Sequence, residues 1–86
     1  MEVRLARASA VIVQRVPAAA VQRFLDWQRG ITQAAEQFPG FSGTDIYPPA
    51  ADRDEWVVVI HFDDEPALQS WLSSPVREQW LEKIRA

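Results

Sequence analysis

His61 is the single histidine of the chain. Imidazole is the side-chain group whose unperturbed pKa lies nearest neutrality, where it can give and take a proton. That makes it the natural candidate for a catalytic acid–base group. It lies near the end of a β-branched run, and strand alternation places it on one side with Val57 and Val59, opposite Phe62. Asp45 and Tyr47, two residues apart on another predicted strand, share a face and offer one acceptor and one hydroxyl able to orient a bound substrate. Gln14 adds a polar group to the first strand, and Trp27 sits at the margin of a helical stripe where it can line a cavity mouth. The catalytic candidate is therefore His61, and the substrate-binding candidates are Tyr47, Asp45, Gln14 and Trp27. A plainer assignment competes at each position. A lone histidine without a paired carboxylate is more often structural. Tyr47 and Asp45 also suit a solvated rim, and Gln14 a strand edge in water. Trp56, Trp71 and Trp80 fall on strand or helix positions where packing accounts for them.

Other chemistries find little support. The chain has no cysteine, so neither disulfides nor thiolate metal sites are available. One histidine and loop-borne carboxylates give no ligand set with metal spacing, and Asp52, Asp54 and Glu55 read as a solvated loop. Three glycines make no phosphate cradle, which argues against a nucleotide cofactor. No metal or organic cofactor is expected. Net charge is −3 with the nine basic residues scattered, unlike the basic stripe of a nucleic-acid reader. The apolar runs are too short to span a bilayer, and Met1–Arg7 lacks the apolar core of a signal peptide. The expected location is cytoplasmic, with no nucleic-acid or membrane contact from this segment.

Eighty-six residues suffice for one domain near the lower limit of self-sufficiency, where burial against a partner would help. Residues 1–8 read as an N-terminal extension and 9–86 as the domain. Ser9–Val16 is rich in β-branched residues and predicts a first strand. Pro17 suits the first turn of a helix, in which Val21, Phe24, Leu25, Gln28, Ile31, Ala35 and Phe38 recur at spacings of three and four. Pro39 ends it. Phe41–Tyr47 predicts a second strand with Gly43 as a bulge candidate, and the Pro48-Pro49 pair opens a loop. Glu55–Phe62 predicts a third strand, whose continuous Val57-Val58-Val59-Ile60 run implies that both faces are covered. Asp63 or Asp64 caps a short helix bearing Ala67, Leu68, Trp71 and Leu72. Ser74-Pro75 opens a last helix, with Val76, Trp80 and Ile84 on its apolar side. The order is β-α-β-β-α-α, an α+β arrangement.

In this order the segments Phe24-Leu25-Asp26-Trp27, Phe38-Pro39-Gly40-Phe41-Ser42-Gly43, Glu55-Trp56-Val57 through His61-Phe62-Asp63, and Trp71-Leu72-Ser73-Ser74-Pro75-Val76-Arg77 resemble the antibiotic biosynthesis monooxygenase superfamily. The resemblance covers about residues 9 to 85. It implies a ferredoxin-like antiparallel sheet with helices on one face, a second copy packed on the other to form a dimeric α+β barrel, and a ligand cavity between helices and sheet. Members of the superfamily include cofactor-independent oxygenases of aromatic polyketides, haem-degrading enzymes and quinol oxygenases.

Two departures stand out. The family's fourth strand normally follows the last helix, yet this sequence ends at Ala86, directly after it. Either that strand lies outside the sequence or its position is filled differently. Val3 and Leu5 alternate within Glu2–Arg7, which would prolong the first strand toward a partner subunit. The better-understood oxygenases also pair an asparagine with a tryptophan, and the haem-degrading members add a helical histidine. This chain has no asparagine, its histidine is on a strand, and Phe62 stands where a tryptophan is expected.

Two functions follow from these observations. One is a homodimeric, cofactor-independent monooxygenase-like oxidoreductase acting on a small aromatic or polyketide-like compound. The other is a non-catalytic dimeric ligand-binding or association module of the same fold. A closed cavity with His61 and Tyr47 converging would favour the first; an interior filled by valine and tryptophan would favour the second.

Overall fold

The computed structural model describes residues 8–85 in full and residues 2–6 as backbone. Four strands, β1 (Glu2–Ala6), β2 (Ser9–Arg15), β3 (Phe41–Tyr47) and β4 (Glu55–Phe62), form one antiparallel sheet in the order β1-β2-β4-β3. Three helices, α1 (Val21–Glu36), α2 (Glu65–Leu72) and α3 (Pro75–Arg85), cover one face. This is the ferredoxin-like α+β arrangement. None of the helices among the described residues is long and apolar enough to cross a membrane.

The N-terminal segment corrects the sequence expectation. It does not prolong β2 toward a partner. It folds back on β2, with Ala6 opposite Ser9 and Glu2 opposite Val13, and so fills the edge position beside β2. The primed turns of tight hairpins favour glycine and asparagine without requiring them, so their absence misled. The free amides and carbonyls along the β2 edge gain partners in this way, which a buried sheet demands.

Strand β4 lies at the centre. Its alternate residues Val58, Ile60 and Phe62 are buried under the helices, whereas Val57, Val59 and His61 point to the other face and are half-buried. The register carries this division across the sheet: Ala10 and Ile12 pair with Ile60 and Val58, and Val11 and Val13 pair with Val59 and Val57. The continuous apolar run therefore has one face covered by this chain and one left open. At Gly43 the β3–β4 register shifts as a bulge, and its φ of 152° is a conformation other residues rarely adopt.

Helix α1 follows a 3₁₀ turn at Ala18–Ala20 and buries Phe24, Gln28, Ile31 and Ala35 on one stripe. Just before Pro39, Phe38 leaves the helix and sets its ring edge-on to Trp71, at 5.0 Å between centroids. Asp64 caps α2 by accepting the Ala67 amide at 2.9 Å. Ser74 links α2 to α3: its hydroxyl donates to the Trp71 carbonyl and accepts the Arg77 amide.

The inward face of α3 differs from the expected Val76–Trp80–Ile84 line. Leu81 is the buried residue, at 4% exposure, and Val76 is 38% exposed. The cause is the contact with α1. The Trp80 ring occupies the space where a Cβ on Gly30 would lie, and the Trp27 indole N–H donates to the Trp80 carbonyl at 2.7 Å. This close approach turns α3 so that Leu81 and Arg77 face inward. Gly30→Ala should therefore destabilise the protein, although alanine is better than glycine in a helix by about 1 kcal/mol. Overpacking against Trp80 costs about 1–3 kcal/mol, so thermal unfolding should fall by roughly 5 °C. The pair Gly30→Ala with Trp80→Leu should recover part of that loss.

Candidate functional site

Between the helices and the sheet runs a cleft, built from both layers. The sheet contributes Ile12, Thr44, Val58 and Ile60 to its floor. Helix α1 adds Trp27, Gln28, Ile31 and Thr32, while Trp71, Arg77 and Leu81 close the far wall. Its empty volume is about 410 Å³ counting the open mouth, and about 30 Å³ of this admits the centre of a water molecule. Most of the lining is apolar, with a few polar groups placed among it, as in small-molecule sites generally.

Each polar group has a distinct state. Gln28 is only 6% exposed, and its side-chain amide donates to the Thr32 hydroxyl at 3.1 Å. The Thr44 hydroxyl is buried without a hydrogen-bond partner, a condition that costs about 1–3 kcal/mol. The guanidinium of Arg77 donates to the Leu72 carbonyl at 3.3 Å. Burial lowers its pKa from the ordinary arginine value, with Glu78 opposing that shift and Arg85 adding to it.

A second group lies on the open face of the sheet. Ser9, His61 and Asp45 form a line across β2, β4 and β3. The Ser9 hydroxyl is 2.7 Å from His61 Nδ1, and His61 Nε2 is 2.9 Å from Asp45 Oδ2. A neutral imidazole protonated on Nε2 satisfies both contacts, donating to Asp45 and accepting from Ser9. Tyr47 follows Asp45 on the same side and is 53% exposed.

The sequence-derived candidates thus divide into three places. His61 and Asp45 are in contact, with Tyr47 farther along the same face. Trp27 lines the cleft. Gln14 lines a separate depression with Val16, Phe24 and Ile84. His61 and Tyr47 do not converge in the cleft, because the two-residue period of the strands puts them on the opposite side of the sheet from Thr44 and Ile60. Thr44, Thr32 and Arg77 escaped the sequence reading. Gln28 was visible as a polar residue within an apolar stripe; Arg77 gave no signal, because its direction depends on the rotation of α3.

Comparison with known proteins assigns the family. Residues 8–83 match the antibiotic biosynthesis monooxygenase profile. The chain belongs to that family. An uncharacterised protein of Synechococcus elongatus is 52% identical over 85 residues; the match takes in 98% of this chain and 41% of that protein. Among solved structures, a haem-degrading protein of Mycobacterium tuberculosis is 27% identical, with a TM-score of 0.68 and 78% of each chain covered. A Nitrosomonas europaea protein described as an antibiotic biosynthesis monooxygenase superposes with a TM-score of 0.76 at 13% identity, covering 95% of this chain and 81% of that one. The last likeness speaks for the fold alone.

The unpartnered hydroxyl makes a direct prediction for this family member. Thr44→Val keeps the side-chain shape and removes a buried group that has lost its water. It should raise stability by about 1 kcal/mol, seen as a higher urea midpoint at unchanged slope. Thr44→Ser, which keeps the hydroxyl and deletes a methyl, should lower it.

Proposed function

We propose that this chain is a monooxygenase-type domain that oxidises a small aromatic or polyketide-like compound in the cleft, without metal or flavin, and works as a homodimer. The observation that supports it is the aromatic-walled cleft itself, with Gln28, Thr32, Thr44 and Arg77 placed among apolar side chains. The reaction that suits these residues begins with a substrate acidic enough to exist as a carbanion or phenolate. Arg77 would favour that anion electrostatically, and the apolar walls would keep water from it. The anion then supplies electrons to dioxygen. For an activated CH₂ group, one oxygen atom ends in the product carbonyl, and the other leaves as water with the two hydrogens.

The haem chemistry of the Mycobacterium relative is a poor fit. The chain's one histidine, His61, lies across the sheet from the cleft and is held between Ser9 and Asp45, so it cannot ligate a haem iron there. We assign His61, Asp45 and Tyr47 to the open face instead. Val11, Val13, Val57 and Val59 pave that face, and a second copy packed over them would bury this apolar surface. A second reading, the non-catalytic association module, is favoured by the small enclosed space of about 30 Å³ and by the chain spanning only 41% of the Synechococcus relative.

Oxygen uptake with quinols and anthrone decides between the two. The catalytic reading expects consumption above autoxidation, abolished by Ile12→Trp, which fills the cleft, and kept within about twofold in His61→Ala. Loss of uptake in His61→Ala would move the chemistry to the open face, and no uptake in the parent protein would leave the association module.

Light scattering at micromolar concentration should give twice the chain mass of 9.8 kDa. Val59→Lys should give folded monomers, since it puts a charge on the open face without disturbing the helix-covered side. A monomeric parent protein would overturn the dimer.

A further inference from the structure

The cleft is rich in hydrogen-bond donors and poor in negative charge. The chain has twelve acidic residues against nine basic ones, yet no aspartate or glutamate lines this cleft and one arginine does. Arg77 also differs from arginines elsewhere on the surface. Arg29, Arg53 and Arg85 each pair with a carboxylate, respectively Asp26, Glu55 and Glu78, and are well exposed. Arg77 is half-buried, and no carboxylate stands within ion-pair distance of it among the described residues. Among the described residues its guanidinium, with five N–H donors, meets one carbonyl, at the long distance of 3.3 Å. Independently, the Thr44 hydroxyl from the sheet side of the same cleft is buried with no acceptor. An unpartnered hydroxyl on one wall and a half-buried guanidinium without a carboxylate on the other leave room for an acceptor that the chain itself does not supply. Trp27 and Trp71 offer flat apolar surface beside them.

We propose that the cleft selects an aromatic oxyanion, a ring system bearing a carboxylate or phenolate, with Arg77 as its charge partner and Thr44 as a hydrogen-bond donor. This rests on the reading of the cleft as the substrate site and names the class of substrate it takes. A guanidinium outside bulk water binds an oxyanion more strongly than it would at the surface, because both screening and competing hydration are reduced. Leaving Thr44 unsatisfied in the free protein is then a stability cost recovered when ligand binds.

Salicylate and its neutral counterpart salicylamide are the probes, titrated at neutral pH while the indole N–H resonances of Trp27 and Trp71 are followed by NMR. Salicylate should shift both resonances saturably and bind at least about tenfold more tightly than salicylamide, the ratio worth about 1.4 kcal/mol. Arg77→Gln should bring that ratio near one, and Arg77→Lys should retain part of it, with thermal unfolding confirming that both variants fold. Thr44→Val should bind salicylate several-fold more weakly although it is the more stable protein, a combination that a merely structural threonine would not produce. Equal binding of the two probes, an unchanged ratio in Arg77→Gln, or the absence of saturable shifts at Trp27 and Trp71 would each overturn the proposal. Salicylate selectivity that depends on Arg77, without oxygen uptake by any phenol, would leave this inference standing and remove the oxygenase reading. Oxygen uptake by the parent protein together with equal binding of salicylate and salicylamide would do the reverse.

Discussion

Strand β4 runs between β2 and β3, and the two-residue period of its backbone sends successive side chains to opposite sides of the sheet. Everything chemical in the molecule is sorted by that alternation. Val58, Ile60 and Phe62 go beneath the helices and form the floor on which α1 and α2 pack. Val57, Val59 and His61 go to the open side. The antiparallel register passes the same division to the neighbouring strands, so Thr44 joins the floor of the cleft while Ser9 and Asp45 meet His61 on the other face. A shift of one residue in this register would exchange the two sets, and burying the apolar set prevents that shift.

The two faces consequently hold polar groups of different character. On the open face the groups satisfy one another: Ser9, His61 and Asp45 form a closed hydrogen-bonded line. In the cleft only Gln28 and Thr32 do so. Thr44 is left without a partner and Arg77 with one weak one, amid isoleucine, valine, leucine and tryptophan. Folding alone does not favour such an arrangement, because an apolar residue at either position would remove a desolvation cost. Native structures retain unsatisfied buried groups where function uses them. The fold fits many chemistries, so the case for function rests on this cleft more than on the family.

Helix α3 shows how one packing detail places a functional group. Trp80 settles over Gly30, its backbone carbonyl accepts the Trp27 indole, and the helix turns so that Leu81 and Arg77 point inward. Lys83 lies 4.1 Å from the centre of the Trp80 ring and covers its outer face. The same rotation leaves Val76 partly in water, a small loss of burial set against the closer approach of two helices.

The strands β2, β3 and β4, the long helix, both helix caps and the bulge at Gly43 were legible in the residues themselves. Each rests on local rules: side-chain period, the φ limits of proline and glycine, and side chains that cap nearby amides. The contact of His61 with Asp45 was half legible, since alternation put each residue on a face but not on the same face of neighbouring strands. The fold-back of β1, the rotation of α3, and the placing of Thr44 and Arg77 in one cleft were not legible. They depend on which strand pairs with which, and on how closely two helices approach at one glycine. Those choices are made by contacts between residues far apart in the chain, so local sequence determined the elements and their apolar faces. Only their packing decided which polar side chains would line the cleft together.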